Sequence, residues 1–191
     1  MKHIAIFASG EGTNAQNIID YFKHSDKVKV ALIVSNKANA NVLNRAKKEG
    51  IPTLLISRAD FYDSNNTIDA LKAANIHFIV LAGFLWMIPS KLVQAFPNKM
   101  INIHPALLPK YGGKGMYGMN VHKAVVEARE TESGISIHYV NEQYDEGEII
   151  YQEYVTVGID DTAETLEERI KQVERVVYPQ VLHEQAMKIL Y

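Results

Sequence analysis

The sequence predicts an α/β fold in which a mostly parallel sheet is covered by helices on both faces. Short, continuous apolar runs alternate with segments whose apolar residues recur at helical spacing, which is typical of parallel strands joined by helices. The first run leads into a glycine-rich turn. The last two runs are separated only by a short acidic segment, which favours an antiparallel pair of strands towards the C-terminus.

The first half of the chain predicts five strands and the helices between them. Gly50 closes the second of these helices, and Pro89 lies near the first turn of the fourth, where proline is tolerated. The strands are expected at residues 4–7, 28–34, 53–56, 78–82 and 100–103, and the helices at residues 13–22, 40–48, 67–74 and 89–96.

The second part of the chain begins with a long loop at residues 105–120. This loop is rich in glycine and proline, and long loops in compact domains are often functional. Beyond it we expect one helix, two strands and a final helix, which Pro179 should kink or divide. No repeat or linker is visible, so residues 1–191 are predicted to form a single domain. The later elements are expected at residues 121–128, 135–140, 149–157 and 162–190.

The composition excludes several classes of protein. Hydrophobic residues make up 47% of the 191 residues and charged residues 22%, which is typical of a globular chain. The formal net charge of −2 provides no general attraction to nucleic acid or an anionic membrane. The absence of cysteine excludes thiolate nucleophiles, disulfides and cysteine-based metal sites. No targeting segment or membrane span is visible, so a cytoplasmic location is predicted.

A glycine-rich loop follows the first strand and opens the first helix, which is the context in which such loops bind phosphate. Gly10 and Gly12 let the backbone approach an anion, and Thr13 and Asn14 add donors at the positive end of the helix. The spacing also fits a relaxed dinucleotide-binding motif, but that motif needs an acidic residue after the second strand, and residues 34–37 contain none. The loop therefore favours a phosphate monoester over NAD. A tight turn that binds nothing is the alternative.

A second group of polar residues is predicted around the end of the fifth strand. Asn102 and His104 alternate onto one face at the carboxyl end of a parallel strand, where open α/β sheets bind ligands. An amide beside an imidazole can bind an oxyanion and supply a proton. Asp145, in the acidic turn 144–147, could orient or charge that histidine. Taken separately, the histidine could be a structural hydrogen-bonder and the aspartate an ordinary turn residue.

The other histidines indicate no metal site. His122, His138 and His183 lack the spacing to one another and to a carboxylate that metal-binding sets show, so no metal is expected.

Four motifs, in this order, resemble the folate-dependent formyltransferase superfamily. They are Ser-Gly-Glu-Gly-Thr-Asn at residues 9–14, Leu-Ala-Gly-Phe at 81–84, Asn-Ile-His-Pro-Ala-Leu-Leu-Pro at 102–109 and Tyr-Asp-Glu-Gly-Glu-Ile-Ile at 144–150. The third motif is specific to the superfamily, and the first is most similar to the branch that formylates glycinamide ribonucleotide. The resemblance extends from residue 1 to about residue 179 and implies a Rossmann-like α/β fold.

The resemblance also implies a reaction and a set of site residues. The donor would be 10-formyltetrahydrofolate, acting as co-substrate, and the acceptor 5-phosphoribosylglycinamide, an intermediate of purine synthesis. No metal, nucleic acid or membrane would take part, and the enzyme would be a monomer or homodimer. Asn102 and protonated His104 would stabilise the oxyanion and handle protons, and Asp145 would support His104. The implied phosphate and ribose contacts are Gly12, Thr13, Asn14, Lys171 and Glu174, and the implied folate contacts are Leu85, Trp86, Met87, Ile88, Asn102, Asn141 and Tyr144.

Two departures from the family pattern bear on folate binding. Members of the superfamily often have arginine where this chain has Trp86, and the loop at residues 112–118 is longer than in the commonest form. An indole cannot form a charge-assisted pair with the donor's glutamate carboxylate. If Trp86 lines the site, folate binding should therefore depend less on salt than in a protein with arginine at this position. The alternative is that Trp86 packs inside the protein and does not contact the folate. The alternative functions are another folate-dependent N-formyltransferase, a formyltetrahydrofolate hydrolase, or a non-catalytic binder of a phosphorylated ligand.

Overall fold

The computed structural model describes residues 1–188, in which strands and helices alternate much as the sequence predicts. A short turn of π type, Ala59–Asp63, precedes the third helix and was not predicted. The strands and helices are, in chain order, β1 (Lys2–Phe7), α1 (Thr13–Phe22), β2 (Val28–Ser35), α2 (Asn41–Lys48), β3 (Thr53–Leu55), α3 (Asn66–Ala73), β4 (Phe78–Leu81), α4 (Ser90–Ala95), β5 (Met100–His104), α5 (Met119–Glu127), β6 (Glu132–Tyr139), β7 (Ile149–Thr156) and α6 (Ala163–Lys188).

The seven strands form one mixed sheet in the order β3-β2-β1-β4-β5-β6-β7. Within β1 to β5, all neighbouring strands are parallel. β6 runs antiparallel to β5, and β7 runs antiparallel to β6. The predicted Rossmann-like fold class is therefore confirmed, including the antiparallel pair near the C-terminus.

Helices cover both faces of the sheet, and this explains why the sequence of β1 is a continuous apolar run. Ile4 and Ile6 join a core that includes residues of α1, α2, α5 and α6. Ala5 and Phe7 point the other way, into a core that includes residues of α3 and α4. All four side chains are completely buried, as expected for a strand with a helical layer on each face.

Pro179 was predicted to kink or divide the last helix, and it lies inside α6 without dividing it. Tyr178, Val181 and Leu182 are buried on either side of the proline, so packing against the core holds both halves in one helix. The predicted end of this helix, residues 189–190, lies outside the described residues. Within residues 1–188, we find no helix with the length and hydropathy required to cross a membrane.

Candidate active site

A cavity of about 480 Å³ collects most of the residues that the sequence analysis proposed. Its wall includes the carboxyl ends of β4 and β5, the loop that follows β5 and one side of α6. Gly12 and Thr13 are not part of this wall, but Asn14, the next residue, lines it. The proposed residues that line the cavity are Asn14, Leu85, Trp86, Met87, Ile88, Asn102, His104, Asn141, Tyr144, Asp145, Lys171 and Glu174.

The carboxylate of Asp145 connects the polar groups at the centre of the site. Its Oδ2 accepts a hydrogen bond of 3.0 Å from the Gly113 backbone N–H and lies 3.5 Å from His104 Nδ1. Its Oδ1 accepts a hydrogen bond of 3.4 Å from Asn102 Nδ2 and lies 3.6 Å from His138 Nε2. Asp145 thus lies between two imidazoles and an amide.

Backbone carbonyls fix which ring nitrogen of each histidine carries a proton. His104 Nε2 lies 2.7 Å from the carbonyl oxygen of Tyr111, and His138 Nδ1 lies 2.9 Å from that of Tyr139. A carbonyl can only accept, so these nitrogens donate, and in the neutral rings the opposite nitrogens carry lone pairs. Those opposite nitrogens are the ones that face Asp145. A proton added to His104 therefore arrives beside the carboxylate, which stabilises it.

Burial decides the resting charge of His104. The side chain is buried, which lowers the pKa of His104, and the raising effect of Asp145 and of the Tyr111 carbonyl does not overcome this. The pKa of Asp145 is also lowered: burial alone would raise it, but His138, His104 and the Gly113 N–H together outweigh burial. The free site thus favours a neutral His104 and an ionised Asp145, whereas the resemblance implied a histidine that is already protonated.

The conformation around Asp145 explains why the acidic turn at residues 144–147 ends in glycine. Asp145 has φ of 56°, a left-handed conformation that aspartate tolerates better than most residues. A Cβ on Gly147 would collide with the Tyr139 carbonyl and approach the His138 ring. Gly147 therefore lets the turn lie directly against β6, which brings Asp145 up to the two histidines.

The start of α1 provides the features of a phosphate site. Gly12 precedes the helix with φ of 69°, and no side chain caps the first backbone N–H groups. These groups are therefore free to bind an anion at the positive end of the helix. Asn14 Nδ2 donates a hydrogen bond of 2.9 Å to Glu174 Oε2, which joins this loop to α6. Burial raises the pKa of Glu174, and Lys171 forms an ion pair of 2.9 Å with Glu167 nearby.

Gly12 also allows α2 to approach the glycine-rich loop closely, and the first testable prediction follows from this contact. A Cβ on Gly12 would lie 2.6 Å from Val42 Cβ, whereas a Cβ on Gly10 would meet nothing within 4 Å. Gly12→Ala should lower the free energy of unfolding by about 1–3 kcal/mol, because it combines steric overlap with a left-handed φ. Gly10→Ala is the matched control and should change it by less than about 0.5 kcal/mol. Urea denaturation measures both, and equal effects would contradict this account.

Ser9 links the first sequence motif to the residue that follows the second motif. Its buried hydroxyl donates a hydrogen bond of 2.6 Å to Asn36 Oδ1 and accepts one of 3.0 Å from the Leu85 backbone N–H. The position after β2, where a dinucleotide-binding protein would hold a ribose with a carboxylate, is thus occupied by an asparagine that fixes Ser9. The segment that begins at Leu85 is anchored to the glycine-rich loop.

Trp86 lines the cavity and also packs within an aromatic cluster. Its ring centroid lies 5.8 Å from that of Phe61 and 6.3 Å from that of Phe84. The Arg58 guanidinium carbon lies 5.3 Å from the Trp86 centroid. Arg58, which the sequence analysis did not single out, thus holds a guanidinium against Trp86, and the expected salt dependence of folate binding stays a prediction.

Two histidines of the cavity were considered only as metal ligands in the sequence analysis. His138 lies directly opposite Asn102 in the β5–β6 ladder and is 3.2 Å from its Nδ2, and this register is not visible in the sequence. His122, on α5, is buried and lines the cavity, and its Nδ1 has no hydrogen-bond partner. Over the described part of the chain, no three histidine or acidic side chains are grouped as a metal site would require.

Comparisons with known proteins agree with this geometry. A family model described as formyl transferase matches residues 2–182. The chain is 42% identical to the chloroplastic phosphoribosylglycinamide formyltransferase of Arabidopsis thaliana over 95% of this chain and 64% of that protein, so it spans less than two thirds of that relative. It is 39% identical to the phosphoribosylglycinamide formyltransferase of Haemophilus influenzae, covering 95% of this chain and 86% of the relative.

Solved structures agree as well. The phosphoribosylglycinamide formyltransferase of Bacillus halodurans superposes with a TM-score of 0.86 at 37% identity, covering 96% of this chain and 94% of that one. Glycinamide ribonucleotide transformylase 1 of Geobacillus kaustophilus superposes with a TM-score of 0.86 at 39% identity, covering 95% and 97%. With its fold, its cavity and a family match over nearly its whole length, this chain belongs to the formyl transferase family.

Proposed function

We propose that this protein transfers the formyl group of 10-formyltetrahydrofolate to the amine of 5-phosphoribosylglycinamide, a step of purine synthesis. The observation that carries the proposal is one cavity whose wall includes both Asn14, in the first turn of an uncapped helix, and the Asn102–His104–Asp145 group. The names of the similar proteins described above support it. We also propose that residues 1–191 act as one domain; a cytoplasmic location and a monomeric or dimeric state stay predictions.

The acceptor would lie between α1 and the central carboxylate. Its phosphate fits the free N–H groups at the start of α1, beside Thr13. Its ribose hydroxyls would then meet Glu174, whose Oε2 is already held by Asn14. This direction places the glycinamide amine at Asn102 and His104, where the reaction would take place.

The chemistry needs a proton to leave the amine and reach the folate nitrogen. The amine attacks the formyl carbon, an oxyanion forms, and the bond between that carbon and N10 breaks as N10 gains the proton. Both amide hydrogens of Asn102 are directed to His138 and Asp145, which leaves its Oδ1 to accept a hydrogen from the amine. Neutral His104 can take the proton at Nδ1, beside Asp145, and the imidazolium then stabilises the oxyanion and returns the proton.

The donor would occupy the wall formed by residues 85–88 and the segment that includes Asn141 and Tyr144. Leu85 and Met87 are exposed apolar side chains there, and Ile88 is buried behind them. An apolar wall beside a few polar groups is the usual construction of a site for a flat heterocycle. We therefore assign the folate ring system to this side of the cavity.

A formyl-transfer assay with alternative acceptors tests the proposal. Phosphoribosylglycinamide should be formylated, whereas water, tRNA and an amino-sugar nucleotide should not be. In parallel, a folate analogue should change the fluorescence of Trp86, the single tryptophan of the chain. A protein that binds both ligands without transfer would be a binding protein of this fold, and transfer to another acceptor would favour another N-formyltransferase.

A further inference from the structure

Three residues form a row across the antiparallel end of the sheet. His104 on β5 pairs with Ser136 on β6, and Ser136 pairs with Gln152 on β7, the edge strand. Paired residues of neighbouring strands present their side chains on the same face of a sheet. His104 lines the cavity, whereas Ser136 is completely buried and Gln152 is not part of the cavity wall. The row therefore connects the candidate active site to the edge of the sheet.

The side chains of this row hold the chain that leaves β5. Ser136 Oγ accepts a hydrogen bond of 2.9 Å from the Leu108 backbone N–H and donates one of 2.7 Å to the Ala106 carbonyl. Gln152 Nε2 donates at 3.1 Å to the Leu108 carbonyl and at 2.8 Å to Ser136 Oγ. Ala106 and Leu108 are buried, so their backbone groups need protein partners. Both backbone groups of Leu108 thus depend on these two side chains.

The loop held at Leu108 returns to the reacting groups within a few residues. The Tyr111 carbonyl accepts a hydrogen bond of 2.7 Å from His104 Nε2. The Gly113 N–H donates one of 3.0 Å to Asp145 Oδ2. The first contact fixes which ring nitrogen carries the proton, and the second favours the ionised carboxylate. The position of this loop therefore sets the state of both groups.

Close packing would transmit a displacement of Leu108 to the reacting groups. A Cβ on Gly112 would lie 2.6 Å from Leu108 Cδ2 and 3.4 Å from Asp145 Cβ, so the Gly112 backbone lies against both side chains. Tyr111 follows Leu108 by three positions, and it has a left-handed φ of 56°. A turn this short and this closely packed has little freedom to absorb a shift at its start.

We infer that Gln152 is a positioning residue for the reaction, which acts through Leu108 on the loop that holds His104. This deepens the proposed function and rests on it. Gln152 would not contact either substrate. By fixing the loop, it keeps the Nε2 proton of His104 on the Tyr111 carbonyl and the Nδ1 lone pair towards Asp145. A misplacement of about 1 Å can cost about 10²-fold in rate, so a loosened loop should cost part of that.

Gln152→Met tests this role, because methionine keeps the length of the side chain and removes both donors. We expect kcat to fall about five- to twentyfold, with the KM of each substrate within about twofold of the wild type. A second measurement does not need activity. The Nε2 proton of His104, followed by NMR, should exchange with water at least about threefold faster in the variant, because the Tyr111 carbonyl holds it less firmly.

Gln185→Met is the matched control, with the same substitution at another hydrogen-bonded glutamine. Gln185 is buried on α6, accepts a hydrogen bond of 2.9 Å from the Tyr139 hydroxyl and is not part of the cavity wall. Urea denaturation should show that it lowers the free energy of unfolding by about 1–3 kcal/mol. It should change neither kcat nor the exchange of the His104 proton by more than about twofold.

Equal losses of kcat in the two variants would show that Gln152 only stabilises the sheet and would overturn the inference. Unchanged exchange of the His104 proton in Gln152→Met would overturn it as well, and so would a raised KM with an unchanged kcat. If the wild type transfers no formyl group to phosphoribosylglycinamide, the proposed function fails. The exchange measurement still decides in that case whether Gln152 positions His104, so the two failures are distinct.

Discussion

Replacing His104 with alanine should reduce kcat by ~10²–10⁴-fold while the protein stays folded, because the variant loses the group that holds the transferred proton. The imidazole is buried, its Nε2 is fixed by the Tyr111 carbonyl, and its Nδ1 faces Asp145. His138 approaches the other oxygen of the same carboxylate from β6, where it lies opposite Asn102. Steady-state and single-turnover formyl transfer measure the loss.

The matched control for His104→Ala is His24→Ala, since His24 is exposed and outside the cavity wall. Circular dichroism and urea denaturation establish that the His104 variant is folded. A folded His104→Ala protein with kcat within a few-fold of the wild type would remove His104 from the mechanism and leave binding and orientation as the source of catalysis.

The fold could be predicted from the sequence because each face of a parallel strand leaves its own signal. Ile4 and Ile6 pack on one side of β1 and Phe7 on the other, so burial on both faces becomes a continuous apolar run. Pro179 shows the limit of a local rule. Proline favours a break, but the neighbouring Tyr178 is fully buried, and its hydroxyl donates a hydrogen bond of 2.7 Å to the Leu81 carbonyl, which keeps α6 on the sheet.

The candidate site could be predicted only where its residues form local motifs. Asn102 and His104 lie at the end of one strand, and Asp145 belongs to a short turn motif, so the resemblance identified all three. His138 is invisible to such reasoning, because its role depends on the antiparallel register that pairs it with Asn102. The contact of Arg58 with Trp86 is equally hidden, because Arg58 immediately precedes the turn Ala59–Asp63, which was not predicted.

Asp145→Asn should be the second severe change, with kcat reduced by about 10²-fold or more. Asparagine has the same shape and tolerates the φ of 56°, so the turn should keep its conformation. The charge that faces His104 and His138 is lost, however, and the amide would present a hydrogen-bond donor or acceptor in its place. Formyl transfer and denaturation, measured against the wild type, separate the loss of charge from a loss of fold.

Asp145→Asn should also change the pKa of His104, and the contacts of His104 give the direction of that change. Burial lowers that pKa and Asp145 raises it, so removing the carboxylate should lower the pKa further. The pKa of His104 is lower in the folded protein than in the unfolded chain. As the pH falls, the unfolded chain therefore takes up a proton first, and the free energy of unfolding decreases. That loss, measured between about pH 7.5 and about pH 5.5, should be larger in Asp145→Asn. NMR titration of His104 reads the shift directly, and an unchanged or higher pKa in the variant would show that Asp145 does not stabilise the imidazolium.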